Sequence, residues 1–275
     1  MINSVIGSPF IETYLDTRLG GGQTVKFEIQ PITIDSQKVL QLNGNLVYTL
    51  LDIKYQQKIK DWMAFNGRVS VQGRLGAELG ALLTEGINIG TGFNFGWLFK
   101  LYQSKDFALS GSLDVFNNSY TAVNLRKFIQ GVIDSGKIVP SNKLVYEIPL
   151  LKAGSALTCA YAFNKTFGLT ANFTAQYGDA ATTSSESKWY INYGAVFDAD
   201  LLPKQNIPIG FMLGFFHNTL PIPTDEVVTQ PNNLLFQIIY TGKQDLNLGL
   251  EMNYKVYKPV DFDESISIVN VALNF

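Results

Sequence analysis

Between Phe65 and Leu75 every second residue faces one way chemically: Phe65, Gly67, Val69, Val71, Gly73 and Leu75 alternate with Asn66, Arg68, Ser70, Gln72 and Arg74. A period of two is the side-chain alternation of a β-strand, in which successive residues point to opposite faces of a sheet. The pattern returns from Ile87 to Leu101, where Ile87, Ile89, Phe93, Phe95, Trp97, Phe99 and Leu101 oppose Asn88, Gly90, Gly92, Asn94 and Gly96. It returns again from Phe167 to Tyr177 and from Leu246 to Tyr254. Soluble strands average about 5 to 6 residues, whereas a tilted membrane-crossing strand needs about 9 to 11. The length of these alternating runs favours the second kind.

Reading the alternation along the chain predicts strands at 24–33, 38–55, 62–77, 86–102, 106–117, 144–163, 167–178, 188–199, 207–217, 233–241, 245–257 and 265–275. Twelve is an even count, as bacterial single-chain barrels require. The expected fold class is therefore all-β, a transmembrane antiparallel up-and-down barrel of about twelve strands with one short helix in an outer connection. Its connections are expected to alternate in length. Gly242–Gln244, Asp200–Asn206, Asn164–Thr166 and Gln103–Lys105 are short, while of Lys258–Glu264, Asn218–Asn232, Asp179–Ser187 and Asn118–Lys143 most are long and rich in Ser, Thr, Asn, Pro or Gly. Short turns belong to the periplasmic side of such barrels and long loops to the outer side. Aromatic residues near the strand ends (Phe99, Tyr102, Phe107, Tyr161, Phe163 and Phe167 at one side, Phe116, Tyr177 and Trp189 at the other) are expected to form two girdles at headgroup level.

Composition excludes several classes. With 16% charged and 46% hydrophobic residues the chain is too apolar to be disordered, and a net charge of −2 with scattered Lys and Arg gives no nucleic-acid footprint. One Cys, Cys159, and one His, His217, cannot build a structural metal site or an internal disulfide, so neither metal nor cofactor is expected. The glycine-rich run Gly86–Gly96 lacks G-x-G-x-x-G spacing and sits in a strand. No apolar run approaches the roughly 18 residues of a membrane helix. Residues 1–10 lack the basic and apolar regions of a secretory signal, which fits a mature form carrying an initiator Met, or a protein outside that route.

The last residues carry a resemblance. Val269, Val271, Leu273 and Phe275 share one face and end on an aromatic, which resembles the C-terminal signal of Gram-negative outer-membrane proteins; Ser267, one step back, departs from it. In size and strand number the chain is similar to the porin-like group of about twelve strands, which contains solute channels and a phospholipase. The resemblance implies outer-membrane lipid and the barrel-assembly machinery as partners, a bacterial outer-membrane location, and a single barrel over residues 1–275.

Within that frame the candidate lumen charges are Lys26, Glu28, Arg68, Arg74, Asp114, Asp198, Glu251 and Lys255, which either tune ion passage or pair across the interior. Their near balance of sign argues against a strongly selective pore. Small residues (Gly90, Gly92, Gly96, Ala108, Ser110, Ser112, Gly154, Ala156, Thr158, Ala160 and Ala162) form one wall. The connection beside it, residues 118–137, carries helical spacing at Tyr120, Val123, Phe128, Ile129, Val132 and Ile133, with Asn118 or Ser119 as cap and Gly136 near the end. A constriction helix folded inward is the expectation. A helix on the membrane surface or against a partner remains open. Residues 1–23 are expected to be a periplasmic segment or a second plug.

His217, beside Asp225 and Glu226, has Asn218 and Thr219 as neighbours and no serine two residues away, so no catalytic residue is assigned. The leading expectation is a channel for passive passage of small solutes. The alternatives are a closed barrel that works through its outer loops as an adhesion or accessory partner, and a lipid-directed enzyme at the rim.

Overall fold

The computed structural model describes residues 8–25, 32–34, 37–40, 47–75, 86–123, 125–137, 144–179, 187–218, 232–243, 246–257 and 266–274. Twelve antiparallel strands close into one barrel. They are β1 (Tyr14–Val25), β4 (Val47–Lys60), β5 (Met63–Leu75), β6 (Gly86–Gln103), β7 (Phe107–Val123) and β8 (Val145–Ala162), followed by β9 (Phe167–Asp179), β10 (Ser187–Asp200), β11 (Ile209–His217), β12 (Asn232–Lys243), β13 (Leu246–Tyr257) and β14 (Ile266–Asn274). A separate two-stranded sheet joins β2 (Ile32–Ile34) to β3 (Gln37–Leu40). Helix α1 spans Leu125–Ser135, and the single turn α2 spans Leu202–Gln205.

Neighbouring barrel strands pair in sequence order, and β1 closes the ring by pairing with both β4 and β14. The connections at one end of the barrel are 61–62, 104–106, 163–166, 201–208 and 244–245. Those at the other end are 26–46, 76–85, 124–144, 180–186, 218–231 and 258–265. The expected alternation of short and long connections holds except at 201–208, which is as long as 258–265, longer than 180–186, and contains the turn α2.

The distribution of side chains is inverted relative to a soluble protein. Large apolar residues stand exposed around the outside, among them Leu113 at 58% and Trp189 at 64%, with Val69, Phe93, Phe95, Phe173, Leu213 and Leu250 on neighbouring strands. Polar and charged residues are buried on the inside, including Gln56, Asp52, Arg74, Thr170, Gln237 and Glu251. Such a surface is stable only against hydrocarbon, since contiguous apolar area of this extent is not left facing water. Aromatic pairs mark both rims: Tyr102 with Phe107 and Tyr161 with Phe163 near the short turns, and Tyr177 with Trp189 near the long connections. Phe116 departs from the girdle expectation, because it shares the inward face of β7 with Ser112 and Asp114.

The first barrel strand is a correction. The alternation was read as beginning near residue 24, with residues 1–23 as a segment or plug, yet β1 runs from Tyr14 to Val25 inside the wall. The glycine run that suggested a break, Gly20–Gly22, lies in the closing seam: a Cβ on Gly20 would meet the carbonyl oxygen of Val271 at 2.9 Å and Cβ of Ala272 at 3.0 Å. Glycine in a strand marks close approach of another backbone, and here it permits closure. The expected strand 38–55 likewise divides, its first residues belonging to β3 and its last to β4.

We expect Leu113→Arg, which places a cation on the lipid face of β7, to destabilise the bilayer-inserted barrel by about 2–4 kcal/mol if it lies near the midplane. Reversible denaturant titration of the protein in liposomes measures this. A soluble barrel would tolerate arginine at so exposed a position.

Candidate lumen and its lining

Closure sends one side chain in two into the interior. Of the candidate lumen charges, Arg68, Arg74, Asp114, Asp198, Glu251 and Lys255 all lie on inward faces, with Arg74, Asp198 and Glu251 buried; Lys26 and Glu28 lie outside the described residues. The centre of one wall is an ion pair. Arg68 Nε donates to both carboxylate oxygens of Asp52 at 2.9 Å, and its Nη2 bonds Asp52 as well. On the adjoining strand Arg18 Nη2 lies 3.5 Å from Asp16 Oδ2. Two-point binding of a carboxylate by a guanidinium fixes both side chains against the wall.

Four strands round the ring, on β8 and β9, lies a ladder of neutral polar groups. Asn172 Nδ2 donates to Thr158 Oγ1 at 2.8 Å, and Thr174 Oγ1 donates to Asn172 Oδ1 at 2.9 Å. The small wall is filled by its neighbours rather than left open: the space beside Gly96 is taken by Asp114, and that beside Gly92 by Asn118 and Ser70. Ser112 Oγ donates to Asp114 Oδ2.

A second region escaped the sequence reading. Val196, Met212, Phe216, Leu235 and Ile239, on β10, β11 and β12, form a buried apolar cluster on inward faces. Glycines make room for it: a Cβ on Gly214 would meet Val196 at 2.7 Å and Phe216 at 3.1 Å. Gln237, in the same wall and 0% exposed, has neither amide atom hydrogen-bonded. The signal was the continuous apolar run Ile209–Phe216 and the adjacent pairs Leu234–Leu235 and Ile238–Ile239, where both faces are apolar and alternation vanishes.

The candidate constriction helix is placed differently from expectation. Tyr120 and Val123 belong to β7, where Tyr120 pairs with Ile148 and Val123 with Val145. Both residues suit a strand, and pairing with β8 overrides their helical spacing. Phe128, Ile129, Val132 and Ile133 do lie in α1, which ends at Gly136 with φ of 65°, a left-handed position glycine takes without strain. Ile133 is half exposed, and among the described residues no barrel strand packs extensively on the helix.

Instead, the segment ahead of β1 reaches the interior at the short-turn end. Gln56, an inward residue of β4, donates through Nε2 to the carbonyl oxygens of Phe10 at 2.9 Å and Glu12 at 3.0 Å. Pro9 is buried, and a cavity of about 320 Å³ lies between Phe10–Glu12 and Lys58, Asp61, Lys100 and Gln103.

The assembly-signal residues Val271 and Leu273 face outward from β14, Val269 is half-buried on the same strand, and Phe275 lies outside the described residues. His217 ends β11 on the outer face, stacked on Tyr193 at 4.9 Å, with Nδ1 3.0 Å from Asn232 Oδ1; Asp225 and Glu226 lie outside the described residues.

No family model and no curated protein matches this chain. Among solved structures it is similar to the NanC porin, with a TM-score of 0.51 and 6% identity over 95% of this chain and 99% of that one. It also matches the KdgM porin in complex with disordered oligogalacturonate, at 0.43 and 6% identity over 95% and 98% of the two chains. A Pseudomonas aeruginosa FadL homologue matches at 0.48 and 8% identity over 97% and 91%. The NanC likeness shows a shared barrel fold.

Removing the Arg68 side chain leaves the Asp52 carboxylate buried without its two-point partner, so Arg68→Ala should destabilise by roughly 1–3 kcal/mol. The exchanged pair Asp52→Arg with Arg68→Asp should recover part of that loss in a double-mutant cycle of denaturant midpoints. Gln237→Leu, which removes an unpartnered buried amide, should instead raise the midpoint.

Proposed function

We propose that the chain is a bacterial outer-membrane channel for passive passage of small solutes, with the short turns in the periplasm and the long connections outside. The observation that carries this reading is the combination of an apolar outer surface with a polar, charged interior in a closed ring of twelve strands. About eight strands already give an interior that side chains fill, and twelve enclose more. The exposed polar side chains of the inner wall, Arg68 and Gln72 among them, are groups that a hydrated path accommodates and a dry core does not.

The narrowest region in this reading is set by two inward features. One is the segment Phe10–Glu12, drawn onto Gln56 at the periplasmic mouth; the other is the apolar cluster around Phe216 and Leu235. Helix α1 serves the loop surface at the opposite end. No reaction is part of the proposal, since His217 stands on the outer face among Tyr193 and Asn232.

A closed barrel acting through its loops is the second reading, favoured by the complete burial of the inward side chains Tyr190, Leu235 and Gln237.

Planar-bilayer conductance of the folded protein separates the two. We expect unitary steps that enlarge when residues 1–12 are removed and stay the same when Leu125–Ser135 is replaced by a flexible linker. Silence from all three folded proteins would overturn the channel.

A further inference from the structure

Inward charges differ along the barrel: Arg18, Lys54 and Arg68 lie among the acids of the middle and short-turn part, and four further cations lie nearer the long connections. Arg74 is the penultimate residue of β5, Lys188 the second of β10, and Lys255 the third from the end of β13, all toward the long connections. Lys152 lies at the level of Lys188, because both strands pair with β9 at Gly178. The inward acids are elsewhere: Asp16 and Asp198 near the short turns, and Asp52, Asp114 and Glu251 toward the middle of their strands. Among the described residues, no inward carboxylate shares the register row of Lys152 and Lys188 across β8, β9 and β10; on β7, Asp114 lies opposite Gly154, one inward position nearer the short turns than Lys152.

Two of these cations form a built site. Lys152 Nζ lies 4.0 Å from the ring centroid of Tyr190 and Lys188 Nζ 5.0 Å from the same centroid. Tyr190 is wholly buried and held by its hydroxyl, which donates to the carbonyl oxygen of Asp179 at 2.6 Å. Lys152 is only 6% exposed, its stem lying across Gly178, where a Cβ would meet Cα of Lys152 at 2.6 Å and its Cγ at 2.9 Å. Three other cations have carboxylates: Arg68 has Asp52, Arg18 has Asp16 and Lys58 has Asp61. Among the described residues, Lys152 and Lys188 have the face of one aromatic ring and each other.

We propose that Lys152 and Lys188, braced on Tyr190, form a binding subsite for a small oxyanion, a carboxylate or phosphate group, in the outer half of the lumen. The inference rests on the channel reading for its place in transport, though the subsite itself does not require conduction. An oxyanion between two ammoniums relieves their mutual repulsion and accepts hydrogen bonds from both, while the ring face stabilises the cations without competing for the anion. Arg74 and Lys255 at the same end raise the local anion concentration. The inward aim of the pair directs it to a solute and not to a lipid headgroup.

The test uses the full chain folded in detergent and in planar bilayers, with wild type, Lys152→Gln, Lys188→Gln, the double variant, and Lys165→Gln, in the exposed 163–166 turn at the opposite end, as control. Equilibrium dialysis with radiolabelled acetate and, separately, inorganic phosphate reads the site directly. We expect saturable binding of at least one of them by wild type and the control, weakened tenfold or more in the double variant. The reversal potential in a KCl gradient should shift toward cation preference in the double variant. Binding lost in the double variant while every barrel stays electrically silent would sustain the subsite and reject the channel. Conduction with unchanged reversal potential and unchanged binding would overturn the subsite and leave the channel standing, as would wild type that binds neither probe.

Discussion

Everything in this molecule depends on the hydrogen bonds that join its first strand to its last. Hydrocarbon offers no partner to a backbone N–H or C=O, so a sheet that crosses it must have no edge. The pairing of Arg18 with Asn274 through to Val25 with Ser267 removes both edges at once. That contact requires backbones to approach closely at Gly20, where any side chain would press on Val271 and Ala272. Gly20, one of three glycines that weaken the strand as a sequence signal, thus permits the closing contact, and Tyr14–Val25 pairs on its other side along β4.

Once the ring is closed, strand alternation leaves little choice about chemistry. Residues such as Leu113, Phe95 and Trp97 are directed to lipid, and their neighbours Asp114, Asn94 and Gly96 are directed inward. Charges placed there must be compensated locally, because the surrounding wall is a poor solvent for them. The Arg68–Asp52 pair and the Asn172 ladder show two solutions, one ionic and one neutral. The apolar cluster at Phe216 is a third: side chains that need no partner pack over Gly194 and Gly214, thickening the wall from within.

How much of this was legible follows from what each segment shows to a period-two reading. Phe65–Leu75 was readable because apolar and polar residues alternate strictly, and the observed β5 begins only two residues earlier. β1 was hidden because glycines carry no polarity, leaving too short an alternating run before Gly20. Tyr120 and Val123 satisfied helical spacing by position alone, and only pairing with Ile148 and Val145, distant in sequence, decides for the strand. Phe116 was assigned to a girdle by its nearness to a strand end, although its parity with Asp114 already placed it inside. The inner cluster on β11 and β12 was invisible for a different reason: with both faces apolar, no alternation remains to report which side is which. Contacts made at long sequence separation, such as Gln56 with Phe10, leave no local trace at all.

The sum of lumen charges is therefore a poor guide to what the interior does. A strand of twelve or more residues runs about 40 Å along its own axis, while charges in physiological salt are screened over about 8 Å. An anion beside Lys188 would sense Lys152, and would be largely shielded from Asp198 near the foot of the same strand. Near-neutrality in the sequence is compatible with opposite fields at the two mouths, and strand order decides which field a solute meets first. What the closed ring adds to the sequence is this axial coordinate: Arg18, Lys54 and Arg68 lie among the inward carboxylates of the middle and short-turn part of the barrel, while Lys152 and Lys188 stand toward the long connections, with no inward acid among the described residues in their register row.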